Sequence, residues 1–208
     1  TKDPAQTALI GRYERIAAPL TQRSVGSIGA SISREPNRAG ESALGQVIAD
    51  AQLAATRSAG AQIALMNPGG IRAALLRPAD GNVRYEDLFS VQPFYNNLVT
   101  MTLSGGQLVA LLEQQWAGRS DGGRVLQVSR GFGYAYDASR PLGQRIVAGS
   151  LRLDGRPVAP EQRVRVTVNS FLAAGGDSFP LLRDGSDRVT GMMDIDAFTY
   201  SSKASMSI

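Results

Sequence analysis

Apolar residues at Leu9/Ile10, Tyr13, Ile16/Ala17 and Leu20 recur every three to four positions, the spacing of one helix face. Asp3 offers a capping acceptor ahead of them and Pro4 a pre-set φ, so the pattern predicts a helix over Pro4–Ala18, ended by Pro19. The period then drops to two. Ile28, Ala30 and Ile32 alternate with small or polar neighbours and predict a strand over Gly26–Ser33, followed by a polar loop over Arg34–Gly40. Leu44, Val47/Ile48, Ala51 and Ala54/Ala55 restore helical spacing over Ser42–Arg57. Ile63–Met66 is a short apolar run of the kind a buried strand shows. It leads into Asn67-Pro68-Gly69-Gly70, a strong turn signal. Asp80-Gly81 separates two short segments and predicts a hairpin-like turn.

Leu98–Leu103 reads as a further strand. Ser104 can cap a helix over Gly105–Ala117, with Leu108, Leu111/Leu112 and Trp116 facing inward. Strand signals dominate beyond it: Val125–Ser129, Phe132/Tyr134/Tyr136, Ile146–Leu153 and Val164–Val168, with a hairpin turn at Asp154-Gly155. Residues 175–177 form a loop, and Ile195–Ser201 a short terminal helix. Helices concentrate early and strands late, without a clean βαβ alternation. The class is therefore α+β, a mixed β-sheet packed with helices. The 208 residues suffice for one domain with a sizeable core or for two small intimate subdomains.

Composition acts mostly by subtraction. The chain has no cysteine and no histidine, which removes disulfides, thiolate chemistry, Ser-His-Asp catalysis and the commonest transition-metal ligands. Its net charge is +4, carried almost wholly by arginine, since Lys2 and Lys203 are the only lysines. The arginines are scattered, without a basic run or interleaved aromatics, so nucleic-acid binding is not expected. No apolar run approaches the roughly 20 residues that span a bilayer, and no membrane span is expected. Thr1-Lys2-Asp3-Pro4 does not open a signal peptide. The close acid pairs Glu86-Asp87 and Asp194/Asp196 lack the partners a metal site needs, and no metal ligands are assigned in this chain.

Two glycine-bearing segments carry the candidate chemistry. After the strand at Ile63–Met66, Gly69-Gly70 lets backbone approach a ligand closely, and Arg72 is placed to lay its guanidinium on an anion or hydroxyls. A tight turn with a solvated arginine fits the pattern equally well. Gly175-Gly176-Asp177 presents a defined carboxylate able to accept two hydroxyl hydrogen bonds, or simply an Asx-type turn. Phe171, six residues earlier, is either a core residue or a stacking platform. Asn96, in Pro93-Phe94-Tyr95-Asn96-Asn97, can read a base edge or merely start a strand. Phe132, Tyr134 and Tyr136 alternate as a sheet core or cross-strand ladder would.

In order along the chain stand Glu41-Ser42-Ala43-Leu44-Gly45-Gln46-Val47-Ile48-Ala49-Asp50, Asn67-Pro68-Gly69-Gly70-Ile71-Arg72, Gln92-Pro93-Phe94-Tyr95-Asn96, Leu126-Gln127-Val128-Ser129, and Phe171 through Phe179 with its Gly175-Gly176-Asp177-Ser178-Phe179 segment. Together they resemble the C-terminal domain of the 5′-nucleotidase family, over about Ser24 to Tyr200. That family includes UDP-sugar hydrolases, 2′,3′-cyclic-nucleotide phosphodiesterases and a thiosulfohydrolase. The resemblance implies a nucleotide- or nucleoside-recognition domain over residues 24–208, joined through a bridging helix at residues 1–23 to a missing N-terminal metallophosphatase domain. Divalent metals (Zn, Mn, Mg or Ca) would sit in that other domain, and the isolated chain would be inactive. It further implies that Arg72 contacts substrate with Asn96 nearby, that Phe171 stacks on the base, and that Asp177, behind Gly175 and Gly176, binds the ribose hydroxyls. A periplasmic or extracellular location follows from the same resemblance. One position departs: the aromatic that usually precedes Leu-Gln-Val is Val125 here, and losing one stacking face costs about 1–3 kcal/mol. A free-standing ligand-binding module, a non-nucleotide substrate and a purely structural domain remain as alternatives.

Overall fold

The computed structural model describes residues 3–118 and 123–205. The first helix, α1 (Pro4–Thr21), starts as expected: Asp3 Oδ1 accepts from the N–H of Ala5 at 2.8 Å and of Gln6 at 3.2 Å. It runs past Pro19, which lies inside the helix rather than ending it. A helix stops where its hydrogen bonds do, and here the cap N–H of Gln22 still reaches Ala18 O. Strand β1 (Ser24–Ser27) is shorter than the expected 26–33 segment, and Ile32 makes only an isolated bridge to Leu75. Ser42 caps α2 (Ala43–Thr56), its Oγ accepting from Gly45 N at 3.0 Å.

After the fully buried β2 (Ile63–Met66), the Asp80-Gly81 turn delivers β3 (Asn82–Arg84) to β1 instead of closing a hairpin with the preceding segment. Helix α3 (Tyr85–Val91) is not foreshadowed by the sequence, because arginine stands at its cap; the Asp87 carboxylate holds Arg84 N at 2.7 Å in place of a capping side chain. Strand β4 (Asn97–Ser104) and helix α4 (Gly105–Glu113) follow as the pattern predicts, the last turn tightening to a 3₁₀ helix over Gln114–Trp116. Three of the four expected later strands shrink, to β5 (Gln127–Val128), β6 (Phe132–Gly133) and β7 (Arg152–Leu153), which pairs with β8 (Arg156–Pro157) across the Asp154-Gly155 hairpin; the fourth, expected over Val164–Val168, is the slightly longer β9 (Arg163–Asn169). A one-turn helix α5 (Ser170–Ala173), the exposed strand β10 (Ser186–Met193) and α6 (Asp194–Ser205) complete the chain.

The central sheet has the order β10-β4-β9-β2-β5. Strands β2 and β9 run parallel, with Ile63 opposite Val166; the other pairs in this sheet are antiparallel. The mixed sheet with helices around it is the α+β arrangement that the sequence predicts. Alternation along the strands sends side chains to two faces. Ile63, Leu65, Val99, Met101, Leu103, Val164, Val166 and Val168 pack toward α4 and the β6–β8 ribbon, where Phe132 is buried with Tyr134 and Tyr136 against the same cluster. Met66 and the apolar sides of α2, α3 and α6 form a second cluster. Between sheet and α2 the threonines are matched: the hydroxyls of Thr56 and Thr167 lie 2.7 Å apart and those of Thr100 and Thr167 2.8 Å.

Candidate functional site

The parallel strands end side by side. Asn67 follows β2 and Asn169 closes β9, while β4 begins nearby after Asn96. Crevices outside the carboxyl ends of strands are where open sheets with helices commonly bind ligands. Here lies a cavity of about 510 Å³ lined by Arg72, Phe94, Asn96, Arg124, Phe171 and Asp177, with Asn67, Asn169, Gly69 and Gly70 beneath and beside them. Four of the six residues singled out from sequence, Arg72, Asn96, Phe171 and Asp177, meet in it.

Each is held by its neighbours. Arg72 N donates to Val91 O at 2.8 Å, and Arg34 clips the same segment by donating to the carbonyls of Ile71 (3.0 Å) and Arg72 (2.9 Å). The Arg72 guanidinium lies 5.8 Å from the centre of the Phe94 ring, a cation–π distance. Phe171 stands on α5 with 47% of its surface exposed, which is unusual for a phenylalanine unless it faces a ligand or a partner. Asn169 caps that short helix, its Oδ1 accepting from Leu172 N at 2.8 Å.

Asp177 sits at φ 54, in the left-handed region, and Ser178 at φ 66. Two successive non-glycine residues there cost of order 1–3 kcal/mol each, a strain that clusters at functional sites. The two glycines before Asp177 do not line the cavity; they shape its rim. Gly175 adopts φ +83, and a Cβ there would fall 2.6 Å from Arg183 Nε. A Cβ on Gly176 would fall 2.6 Å from both the ring and the carbonyl oxygen of Phe171. So the turn that presents Asp177 packs directly against the exposed aromatic.

Asn96 is tied to the base of α6. Its Nδ2 donates to Asp194 Oδ2 at 3.2 Å, its carbonyl accepts from Asp194 N at 2.8 Å, and its Oδ1 accepts from Ser170 Oγ at 3.3 Å. Burial pushes the Asp194 carboxyl above the ordinary value of 3.8, against the opposing pull of its hydrogen bonds from Asn96 and from Ile195 N. A raised acid pKa means the folded state holds its proton longer than the unfolded state. This group's contribution to stability is therefore fully present below the ordinary carboxylate value and is lost as pH rises through the folded value. Urea midpoints of the parent and Asp194→Asn, followed from pH 3 to 7, are expected to show the parent's advantage shrinking upward from about pH 4. A difference that grows with pH would contradict this assignment.

Four site residues were not singled out from sequence. Asn67, Asn169 and Phe94 sit in turn and strand-end segments where structural roles suffice, and Arg124 is a lone arginine with no local signal. Val125 turns away from the cavity: a Cβ on Gly40 would meet its Cγ2 at 2.6 Å. Phe132 does not replace the missing aromatic, since it is buried in the core. Phe94, half exposed, is the second aromatic of the cavity wall.

Among the described residues no group of three or more histidine, cysteine, aspartate or glutamate side chains could hold a metal ion, and no helix is long and apolar enough to cross a membrane. The cavity is a pocket of aromatic, arginine and carboxylate groups at the strand ends of a mixed sheet. The family model for the 5′-nucleotidase C-terminal domain matches residues 17–184, and the chain belongs to that family. It is 31% identical to "Endonuclease YhcR" of Bacillus subtilis over 94% of this chain and 15% of that protein. It is 35% identical to "Cell wall protein Lmo0130" of Listeria monocytogenes over 77% of this chain and 20% of that protein. The crystal structure of a 5′-nucleotidase precursor from Thermus thermophilus superposes with a TM-score of 0.80 at 36% identity, covering 96% of this chain and 40% of that one. The chain therefore spans well under half the length of these relatives.

Proposed function

We propose that this chain is the nucleoside-recognition part of a 5′-nucleotidase-like phosphoesterase and that it hydrolyses nothing by itself. The observation that carries the reading is the convergence of Arg72, Asn96, Phe171 and Asp177 on one cavity at the end of β2 and β9. Phe171 offers its face to the base, Asp177 accepts from the ribose hydroxyls, and Arg72 faces the anionic end of the substrate. Binding at the nucleoside end orients a phosphate ester for chemistry elsewhere. Zn, Mn, Mg or Ca would sit in a separate N-terminal metallophosphatase domain of the same polypeptide.

Residues 1–23 would form the bridge to that domain, leaving residues 24–208 as the recognition domain. In support, α1 buries none of its residues here and leaves Leu9, Ile10, Tyr13, Ile16 and Leu20 exposed, an apolar stripe suited to a further partner surface. A location outside the cytoplasm fits the relative described as a cell wall protein. The position of Val125 favours a second reading in which the cavity takes a ligand other than a standard nucleotide.

Titration calorimetry with a panel of nucleosides and nucleoside monophosphates separates these readings. Phe171→Ala is expected to weaken nucleoside binding by about 1–3 kcal/mol, the value of one base–aromatic stack, while leaving the urea midpoint nearly unchanged because the ring is half exposed. Asp177→Ala is expected to cost about 1.5–3 kcal/mol of binding. If both variants bind like the parent, the site is wrongly placed.

A further inference from the structure

The Asp177 carboxylate is gripped from two sides. Arg124 Nη1 donates to Oδ1 at 2.5 Å, and Asn67 Nδ2 donates to Oδ2 at 2.7 Å. With a donor on each oxygen, the carboxylate plane cannot turn about its Cβ–Cγ bond without breaking one contact. The grip continues inward, as Asn169 Nδ2 donates to Asn67 Oδ1 at 2.9 Å and Asn169 caps the helix that carries Phe171. Arg124 arrives from a different wall, the segment entering β5, and its neighbour Val125 packs at Gly40 away from the cavity. The arginine side chain is 42% exposed and the aspartate 13%. With its arginine end this exposed, the pair adds modestly to stability, and its effect is chiefly geometric.

We propose that Arg124 is a positioning residue that fixes the Asp177 carboxylate for a vicinal diol and thereby sets the preference for ribose over deoxyribose ligands. The inference rests on the nucleoside reading of the cavity. The left-handed backbone of Asp177 sets the direction of its Cα–Cβ bond, and the Arg124 contact, with that of Asn67, holds the side-chain rotations that remain. Arginine supplies that contact without a matching burial cost, because its head remains in water.

The test compares the parent, Arg124→Ala and Arg124→Lys by calorimetry with adenosine and with 2′,3′-dideoxyadenosine. Side-chain amide exchange of Asn67 is followed by NMR in the same proteins. Arg124→Ala is expected to bind adenosine about tenfold more weakly, the scale of one charge-assisted hydrogen bond, and dideoxyadenosine as the parent does. Arg124→Lys recovers part of the loss, and the Asn67 amide exchanges faster in Arg124→Ala. Equal losses for both ligands, or no loss for adenosine, overturn the proposal. A parent that binds neither ligand refutes the nucleoside reading instead. The positioning role is then decided by the Asn67 amide, and unchanged exchange in Arg124→Ala overturns it.

Discussion

Phe179→Ala is expected to destabilise the protein by about 3–5 kcal/mol, the range for emptying a buried phenylalanine site. Phe179 is fully buried, in the cluster that also holds Leu172, Ala173 and Leu182. Its N–H donates to Gly176 O at 3.1 Å and its carbonyl accepts from Leu182 N at 3.2 Å. The ring is thus the anchor of the turn that presents Asp177, two residues before it. For a chain of this length each kcal/mol moves the melting temperature by about 2–4 °C, so a fall of about 6–20 °C is expected. Urea and thermal unfolding check the value. A loss below about 1 kcal/mol would mean that the surrounding side chains collapse into the space. Nucleoside affinity should fall along with stability, in contrast to Phe171→Ala, where affinity alone falls.

The second large effect is expected at Asn169. This side chain is buried and does three things at once: it caps α5, donates to Asn67 Oδ1, and lies 3.6 Å from the Met66 sulfur. Asn169→Ala removes the cap, worth about 1 kcal/mol, and strands the buried Asn67 acceptor at a further cost of about 1–3 kcal/mol. A total of roughly 2–4 kcal/mol follows. Asn169→Ser separates the two contributions, since a serine oxygen can still accept from Leu172 N but cannot reach Asn67. It should recover about 1 kcal/mol of stability and little of the ligand affinity. Full recovery of affinity would show that the Asn67 link does not matter to the cavity.

Much of this architecture was readable from the chain because its signals are local. Ser42 and Ser104 announce α2 and α4, and the apolar run Ile63–Met66 can only be a buried segment. Helix α3 escaped because Arg84 occupies the cap, and its stabilising acceptor, Asp87, lies inside the helix. Strand β10 escaped for another reason. Every residue in it is exposed, its register shifts twice against β4, and Asp187 takes φ 51 within it, so no alternation survives to be read. Pro19 shows that a proline near a helix end marks the boundary only to within a turn.

The candidate site divides in the same way. Arg72 and Asp177 stand beside glycines, which advertise backbone turns, while Phe171 and Asn96 were candidates by residue type alone and took their roles from the resemblance. Arg124 meets Asp177 across 53 positions of sequence, and Asn67 meets Asn169 across 102. The second pairing is created by the parallel seating of β2 and β9 and the first by the segment entering β5, and a single chain carries no sign of either. The aromatic missing at Val125 was visible from sequence, whereas the role of Phe94 as cavity wall was not.

That parallel seating has a consequence for how such a pocket can change. The two strands spend their side chains on the core and give the cavity only Asn169, the last residue of β9, and Asn67, the residue after β2. The residues above those asparagines belong to connecting segments or to the one-turn helix α5, with no strand register to keep. Exchanging positions 94–96, 124 and 171 therefore alters what the cavity accepts without renegotiating the sheet. One scaffold can pass from ligand to ligand by rewriting its rim, and a combinatorial library restricted to those positions should yield many folded proteins with different tastes.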